Sequence, residues 1–556
     1  MNRFVRFAKE LHRRKVTRVV VAYGAAAFVI LQVVDLVFPR LGLPSWADTL
    51  VLVLLALGFP IAIALAWALE LTPQGLREEM SADEAEALAS AKELRADSIA
   101  VLPFDNLSAD AENEYFSDGV TEDIIASIAR IRGIRVLSRP SVLRYKGQSV
   151  PVDEIARALG VATVVTGSVR RSDERLRIVV QVLDARDESH LWSETYDRTV
   201  GDVFEVQSEV AAHVAAAVRR ELTSSERSGI AARGTSDAEA YDLYLRARFL
   251  WNQRDPAAVA DSVDFFRRAA ERDQGFALAH AGLAEAYVVL GVYGARAPAD
   301  VYPAARYAAR KALSIDPGSG EALAADACIT AVYDWSWTAA EEQFRRAAEI
   351  SPSYATAHQW YATTVLVPQR RFSEALAALD RAREIDPASP AIATSRGIVH
   401  YYAREYARAR EQLDAVRKEH PSFGLAHYFL GLCHAAEGRL AEAVASAREV
   451  VHYSRGSSET LAAEADALAR GGRGPEAELA LAGLDRRAGS GYLSPVLRAQ
   501  VLIGLGRTDA ALAELERAVE VRASDLIWLG VRPTYDALGG SERFRAILAR
   551  LGLPRR

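Results

Sequence analysis

The chain has 556 residues, a net charge of −6 with 25% of residues charged, and two cysteines. That length exceeds what one hydrophobic core spans, so several units are expected, and the lack of a basic excess argues against nucleic acid as a partner. Cys328 and Cys433 have no paired spacing, so neither a disulfide framework nor a thiolate metal site is indicated, and a reducing compartment fits.

Residues 1–76 read as a basic cytoplasmic N-terminus followed by a two-helix transmembrane hairpin. Residues 19–38, VVVAYGAAAFVILQVVDLVF, carry only Gln32 and Asp35 as strongly polar groups and are long enough to cross roughly 30 Å of hydrocarbon. Residues 50–69, LVLVLLALGFPIAIALAWAL, are uncharged, with Gly58 and Pro60 placed to kink the helix. Trp46, in the short loop between them, suits the interface, as does Asp35 near the outer end of its span. Arg3, Arg6, Lys9, Arg13, Arg14, Lys15 and Arg18 precede the first span, whereas the loop has only Arg40. Cationic flanks stay inside, so the N-terminus and, after two crossings, the rest of the chain face the cytoplasm of a bacterial inner membrane. The alternatives are a cleaved signal peptide, disfavoured because no A-x-A-like site closes the first span, and a buried helical hairpin. Residues 77–97 form a charged, alanine-rich helical connector without an apolar stripe.

Residues 98–225 read as a small mixed α/β domain with the order β-α-β-α-β-β-β-α. SIAVLPF is a buried strand. Phe116, Val120, Ile124, Ile125, Ile128 and Ile131 recur at helical spacing, and 152–160 is a short helix closed by Gly160. Three alternating segments, ATVVTGSVRR, LRIVVQVLDA and SHLWSETYDR, read as strands covered on one face, and 203–222 as an amphipathic helix. Asp118, Glu122 and Asp123 suit general acid/base work or a metal, but equally the positive end of a helix, which is preferred. Gly167 suits close packing better than a phosphate cradle. His190 and Ser138 lack any partner that the sequence can show. No Walker motif, nucleophile elbow or kinase signature occurs, so the expectation is a protein that is not an enzyme, with no catalytic residue, cofactor or metal.

SIAVLPFDNLSADAENEYFSDGVTEDIIASIARIRGIRVLSR, LGVATVVTGSVRR and HLWSETYDR together resemble the domain called TolB amino-terminal-like or FlgO-like, and the hairpin ending FPIAIALAWALELTPQG is similar to the one that often precedes it. The resemblance implies neighbouring tetratricopeptide repeats and sometimes a nucleotide-cyclase or winged-helix domain. Nothing here resembles a cyclase metal-binding pair, and the N-terminal eighteen residues are too few for a DNA-binding module.

Residues 236–525 read as an all-α tetratricopeptide-repeat superhelix of about eight repeats. Pro317, Pro352, Pro387 and Pro421 recur at a period near thirty-four, the mark of that repeat. Ala340, Ala347, Ala375, Ala382, Ala409, Ala443, Ala511 and Ala518 mark close approach, with Phe344, Leu379, Leu413 and Leu515 between them. The first two units are stretched, one by an insertion around 291–303, and the seventh, near 457–490, is degenerate. Stacked pairs generate a concave groove lined by first helices. The family's geometry places Tyr333, Trp360, Thr394, Ile398, Tyr401, Tyr428 and Leu432 on that wall, each of them open to the alternative of filling inter-helix core. The pattern that clamps a C-terminal carboxylate is missing. Residues 526–556 form a terminal helical cap.

The expectation is therefore a membrane-anchored tetratricopeptide-repeat scaffold or signalling adaptor. Its partners are the inner membrane, through 19–38 and 50–69, and a protein or peptide in the groove; its oligomeric state is open. The alternative is a ligand-sensing regulatory subunit acting on a separate output enzyme such as a nucleotide cyclase.

Overall fold

A computed structural model describes residues 95–554 except 109–112, 130, 132–133, 149, 173–174, 218–233, 254–255, 455–457 and 489–490, together with 69–72, 75–78 and scattered residues between 27 and 59. The chain divides into two compact units, residues 1–93 and 94–556. In the first, β1 (Leu69–Thr72) and β2 (Gly75–Glu78) pair antiparallel. The spans expected at 19–38 and 50–69 lie largely outside the described residues, and no helix among the described residues is long and apolar enough to cross a membrane. The helical connector expected at 77–97 is corrected at both ends. Arg77 and Glu78 belong to β2, and 95–97 open a strand in the second unit. Ladder pairing satisfies their backbone groups and overrides the weak helical preference of a short charged run.

The second unit begins with a mixed sheet. β3 (Arg95–Val101) lies parallel to both β5 (Arg135–Val136) and β6 (Val161–Ser172), and the short β4 (Asp105–Asn106) extends the pairing along β6. β7 (Arg175–Asp184) and β8 (His190–Thr199) complete an antiparallel meander. The C-terminal end of β3, Ile99, Ala100 and Val101, is apolar and fully buried because it sits mid-sheet with both faces covered. α1 (Glu114–Ala129) buries Phe116, Val120, Ile124, Ile125 and Ile128; α2 is Arg139–Leu143; α3 (Val152–Leu159) ends on the left-handed Gly160. α4 (Val203–Ala217) lays Val203, Val206, Val210 and Val214 on the sheet. Gly167 is there for packing: a Cβ would collide with the Val179 carbonyl and lie 2.9 Å from the Phe104 ring.

Eight helix pairs follow among the described residues. They are α5/α6 (Ala238–Asn252, Pro256–Arg272), α7/α8 (Ala277–Val292, Pro298–Ile315), α9/α10 (Gly320–Val332, Trp337–Ile350) and α11/α12 (Ala355–Tyr361, continued to 366, and Phe372–Ile385). The rest are α13/α14 (Pro390–Tyr402, Tyr406–Glu419), α15/α16 (Gly424–Ala436, Leu440–Ser454), α17/α18 (Ser458–Arg470, Gly474–Ala488) and α19/α20 (Pro495–Gly504, Thr508–Glu520).

Two local rules set this geometry. After each of four second helices, a residue precedes the periodic proline: Asp316, Ser351, Asp386 and His420. Pro disfavours helical backbone there, and all four leave the helical region, with φ of −124°, −126°, −129° and −132° and ψ of 93°, 74°, 79° and 72°. Between the two helices of a pair, a left-handed residue makes the turn: Trp335, Arg370, Arg404, Gly438, Gly472 and Gly506, at intervals of thirty-four or thirty-five. After five of them the next N–H reaches back to a helix carbonyl five residues earlier, as in Arg439 N to His434 O at 2.9 Å, satisfying groups the helix end leaves open. All eight alanines and the four large residues named above are buried. Gly397 shows why small residues recur, since a Cβ would stand 2.6 Å from Leu413 Cγ.

α1 docks onto α5 through a buried polar knot. Tyr241 donates to Asp123 at 2.8 Å, with Gln207 Nε2 at 3.3 Å and Tyr244 at 3.4 Å. α1 starts at Glu114, so Glu122 and Asp123 stand in its third turn, and their partners, rather than the helix's positive end, account for them. Glu122 binds Arg248 and, at 2.7 Å, Asn252; Asp118 binds Arg139 at 2.7 Å and Lys146 at 2.5 Å. A second attachment joins Arg135 to the Glu384 carbonyl at 2.7 Å and Ser141 to Asp386 at 3.0 Å, so the sheet reaches from the first to the fourth helix pair.

Two outcomes are expected. Arg370 is exposed at φ 60°, whereas Gly472 has φ 75° with open space around it. Left-handed backbone costs a side-chain-bearing residue about 1 kcal/mol, so Arg370→Gly raises, and Gly472→Ala lowers, unfolding stability by roughly that amount in urea titrations. Burial pushes the Asp123 carboxyl up to about 7 against the hydrogen bonds of Tyr241 and Gln207. The folded state then holds a proton that the unfolded chain releases near its ordinary value of 3.8. Stability from this group is present below that value and is lost as pH rises through about 7. Asp123→Asn should melt higher than the parent above neutrality and show little difference at pH near 4, measured as melting temperature against pH.

Candidate functional site

The concave wall of the array is built from the first helices α7, α9, α11, α13 and α15, and two elements cover it. The sheet unit covers the end formed by the N-terminal halves of α7, α9 and α11. There a cavity of about 190 Å³ is lined by Glu122, Arg139, Arg248, Glu285 and Tyr354, among others. Its charges neutralise one another: Arg248 spans Glu122 and the almost fully buried Glu285, which also accepts from Tyr354. The Oγ atoms of Ser138 and Ser351, on its wall, have no hydrogen-bond partner among the described residues.

The second cover comes from the C-terminal region. Residues 526–556, expected as a terminal cap, do end in such a helix, α21 (Glu542–Arg550), but the stretch before it turns inward instead of continuing the stack. Two 3₁₀ turns, Ser524–Trp528 and Pro533–Leu538, cross the groove. Ile527 and Val531 are buried against the earlier helix pairs, whereas Leu526 and Leu529 are buried in the core of the last pair and α21. Trp528 Nε1 donates to the Thr363 carbonyl at 3.0 Å.

That carbonyl is free for a definite reason. Pro368 has no N–H and cannot continue the helix, and the last turn of α11 widens to a π-turn over Ala362–Leu366. Val367 N then bonds Ala362 O at 2.9 Å, one residue further back than in an α-helix, which leaves Thr363 O to the indole.

Between this segment and the wall lies a cavity of about 150 Å³, lined by Trp360, Ile398, Tyr402, Tyr428, Phe429, Glu459, Trp528 and Arg532 among others. Arg532 is buried, with its charge acting on the hydroxyls of Tyr402 and Tyr535. Burial pushes Glu459 up to about 7, with Arg532 opposing. The Tyr428 hydroxyl, on a side chain 6% exposed, has no hydrogen-bond partner among the described residues.

Of the seven groove residues expected from sequence, the structure brings Trp360, Ile398 and Tyr428 to this one cavity. Tyr401, Thr394 and Leu432 are fully buried between helices, and Tyr401 packs on Tyr402, Tyr406 and Phe429 with ring centroids 5.2, 6.1 and 5.7 Å away. Tyr333 stands apart, against Tyr302 at 5.1 Å and beneath the Arg522 guanidinium at 5.2 Å. Reasoning from repeats alone missed Trp528 and Arg532. The signal was an aromatic and a cation in DLIWLGVR, outside the repeat register.

Family models described as tetratricopeptide repeat match residues 394–460 and 496–525, so the chain carries repeats of that kind. A protein of Rhizobium meliloti (strain 1021) named "Putative adenylate cyclase 3" is 44% identical over 186 residues, which are 34% of this chain. The match spans about a third, 32%, of that relative's length. Among solved structures, Pseudomonas aeruginosa pilF is similar at 18% identity, covering 48% of this chain and 97% of its own, with a TM-score of 0.26. YrrB, described as a TPR protein with an unusual peptide-binding site, is similar at 16% identity, covering 40% of this chain and 95% of its own, with a TM-score of 0.22.

The placement of the tyrosines separates wall from core. Tyr428→Phe removes a buried hydroxyl that lacks a partner and should leave stability unchanged or raise it by about 1 kcal/mol. Tyr401→Ala empties packed core and should cost about 3–5 kcal/mol. Denaturant unfolding of the two variants checks both.

Proposed function

We infer that this chain is a membrane-anchored scaffold or signalling adaptor that binds a protein or peptide on the concave side of its repeat array, and that it is not itself an enzyme. The observation that carries the reading is the aromatic cavity on that wall, where Trp360, Tyr402 and Tyr428 converge from successive first helices. Aromatic side chains in a desolvated pocket concentrate binding energy, and stacked repeats present such anchors at fixed spacing. The anchor is supported by the apolar stretches 19–38 and 50–69 and by the cations before them, which put the remaining chain on the cytoplasmic side. The α/β unit is read as a TolB amino-terminal-like module, supported by its β-α-β start and three-stranded meander.

A second reading is a ligand-sensing subunit that controls a separate cyclase. It is favoured by the polar cavity between α1 and the array and by the name of the Rhizobium relative. One experiment separates the two. Full-length tagged chain purified from detergent-solubilised membranes should recover partners that Trp360→Ala loses by at least fivefold, with an unchanged circular dichroism spectrum. Partners that survive Trp360→Ala but are lost on Arg139→Ala would favour the second reading, and recovery unaffected by either substitution would overturn the groove.

A further inference from the structure

The connection from α20 to α21, residues 521–541, is out of scale with the array. Neighbouring turns within pairs take only a few residues, such as 403–405 or 437–439. The long connection does what a bound peptide does. Arg522 donates to the Tyr333 carbonyl at 2.7 Å, and Ser524 donates to the Gly291 carbonyl at 2.8 Å while meeting Tyr302 Oη at 2.7 Å. Trp528 takes the Thr363 carbonyl, Arg532 reaches Tyr402, and Asp536 pairs with Arg404 at 2.9 Å. Each of the second to fifth helix pairs thus holds the segment through a polar contact, with apolar residues buried between these points.

The seat is also larger than its occupant. The 150 Å³ cavity beside Trp528 is open, and the Tyr428 hydroxyl on its wall meets no hydrogen-bond partner among the described residues. Charge is matched at one point as well: Arg532 of the segment lies in the field of the groove carboxylate Glu459, beside it in the same cavity.

We propose that residues 522–538 are an internal ligand of the repeat groove, and that the protein partner binds by displacing them with the same chemistry. That chemistry is a peptide turn carrying a large aromatic donor aimed at the Thr363 carbonyl and a cationic residue one helical turn later. The inference rests on the groove being the partner site, and it adds the partner's class and the competition in cis. A partner whose aromatic group also fills the open cavity and reaches Tyr428 outcompetes the internal segment.

The test uses the full chain and a fluorescein-labelled peptide of residues 522–538. Arg522 and Arg404 hold the segment's edge, and both have positive φ, 53° and 68°. Arg522→Gly with Arg404→Gly therefore loosens the segment while relieving backbone strain, and leaves the core untouched. The double variant should bind the peptide at least tenfold tighter than the parent in fluorescence anisotropy, and a peptide with Trp528→Ala should bind neither. Hydrogen exchange on the same samples should show 524–538 exchanging faster in the double variant.

Unchanged exchange would mean that the segment is permanent core, and faster exchange without tighter peptide binding would mean that the groove does not recognise it. Either result overturns the internal-ligand claim and leaves the Trp360→Ala purification to judge the groove on its own. Equal binding of the Trp528→Ala peptide would overturn the aromatic anchor.

Discussion

The fold of the C-terminal half depends on how closely two paired helices can approach. At Gly397 against Leu413 there is no room for a methyl group, and at Gly291 a Cβ would stand 2.6 Å from the Tyr302 ring. Small residues on one helix and large ones on the next let the pair interlock, yet a pair alone leaves one apolar face uncovered. Stacking covers that face with the next pair. Because the left-handed turn and the pre-proline residue recur at the same interval, every pair is added with a similar rotation. Concavity is then a consequence of steric repetition.

A concave wall rich in Tyr, Phe and Trp cannot stay bare in water at no cost, since each large aromatic left exposed forgoes roughly 1.5–3 kcal/mol of burial. The chain answers this from both edges. Glu285 and Tyr354 from α7 and the start of α11 meet the sheet unit, whereas Val288, Val289, Val292 and Trp360 further along the same helices meet the segment around Trp528. One set of helices therefore carries two covers, a polar one made mostly of ion pairs and an apolar one pinned by hydrogen bonds. The charges of the polar cover are paired with one another. Its partners are fixed by geometry, as with Arg248 between two carboxylates, and removing any one of them strands a buried charge.

Much of this was legible in the sequence wherever a local rule governs. The prolines at 317, 352, 387 and 421 gave the period, Gly160 gave a helix end, and alternation in 161–199 gave the meander. The rule-bound residues Ala340, Phe344, Leu379 and Leu413 are all buried as their spacing required. What failed to show were contacts between elements distant in sequence. Nothing in the repeat pattern distinguishes Tyr401, which is core, from Tyr428, one helix pair later, which faces a cavity; the difference lies in which helix packs over each ring. Asp123 was legible as a carboxylate but not as the acceptor of Tyr241, 118 residues away. Composition misled at 77–97, where charged, helix-favouring residues begin and end in strands because partners for ladder pairing were available.

The C-terminal segment carries the most consequence because its hold is divided. Ile527 and Val531 supply burial against the earlier helix pairs, which is non-directional and would be served equally by another apolar chain. Position, by contrast, is set by directional bonds to carbonyls of successive first helices and by one indole. The Thr363 carbonyl that receives this indole exists as a free acceptor only because Pro368 disrupts α11, so a single imino acid in one repeat creates the polar landmark of the whole wall. A competitor with equal apolar area but no donor at that point would gain the burial and lose the register. Recognition at this surface therefore turns on one widened helical turn and on what donates to it.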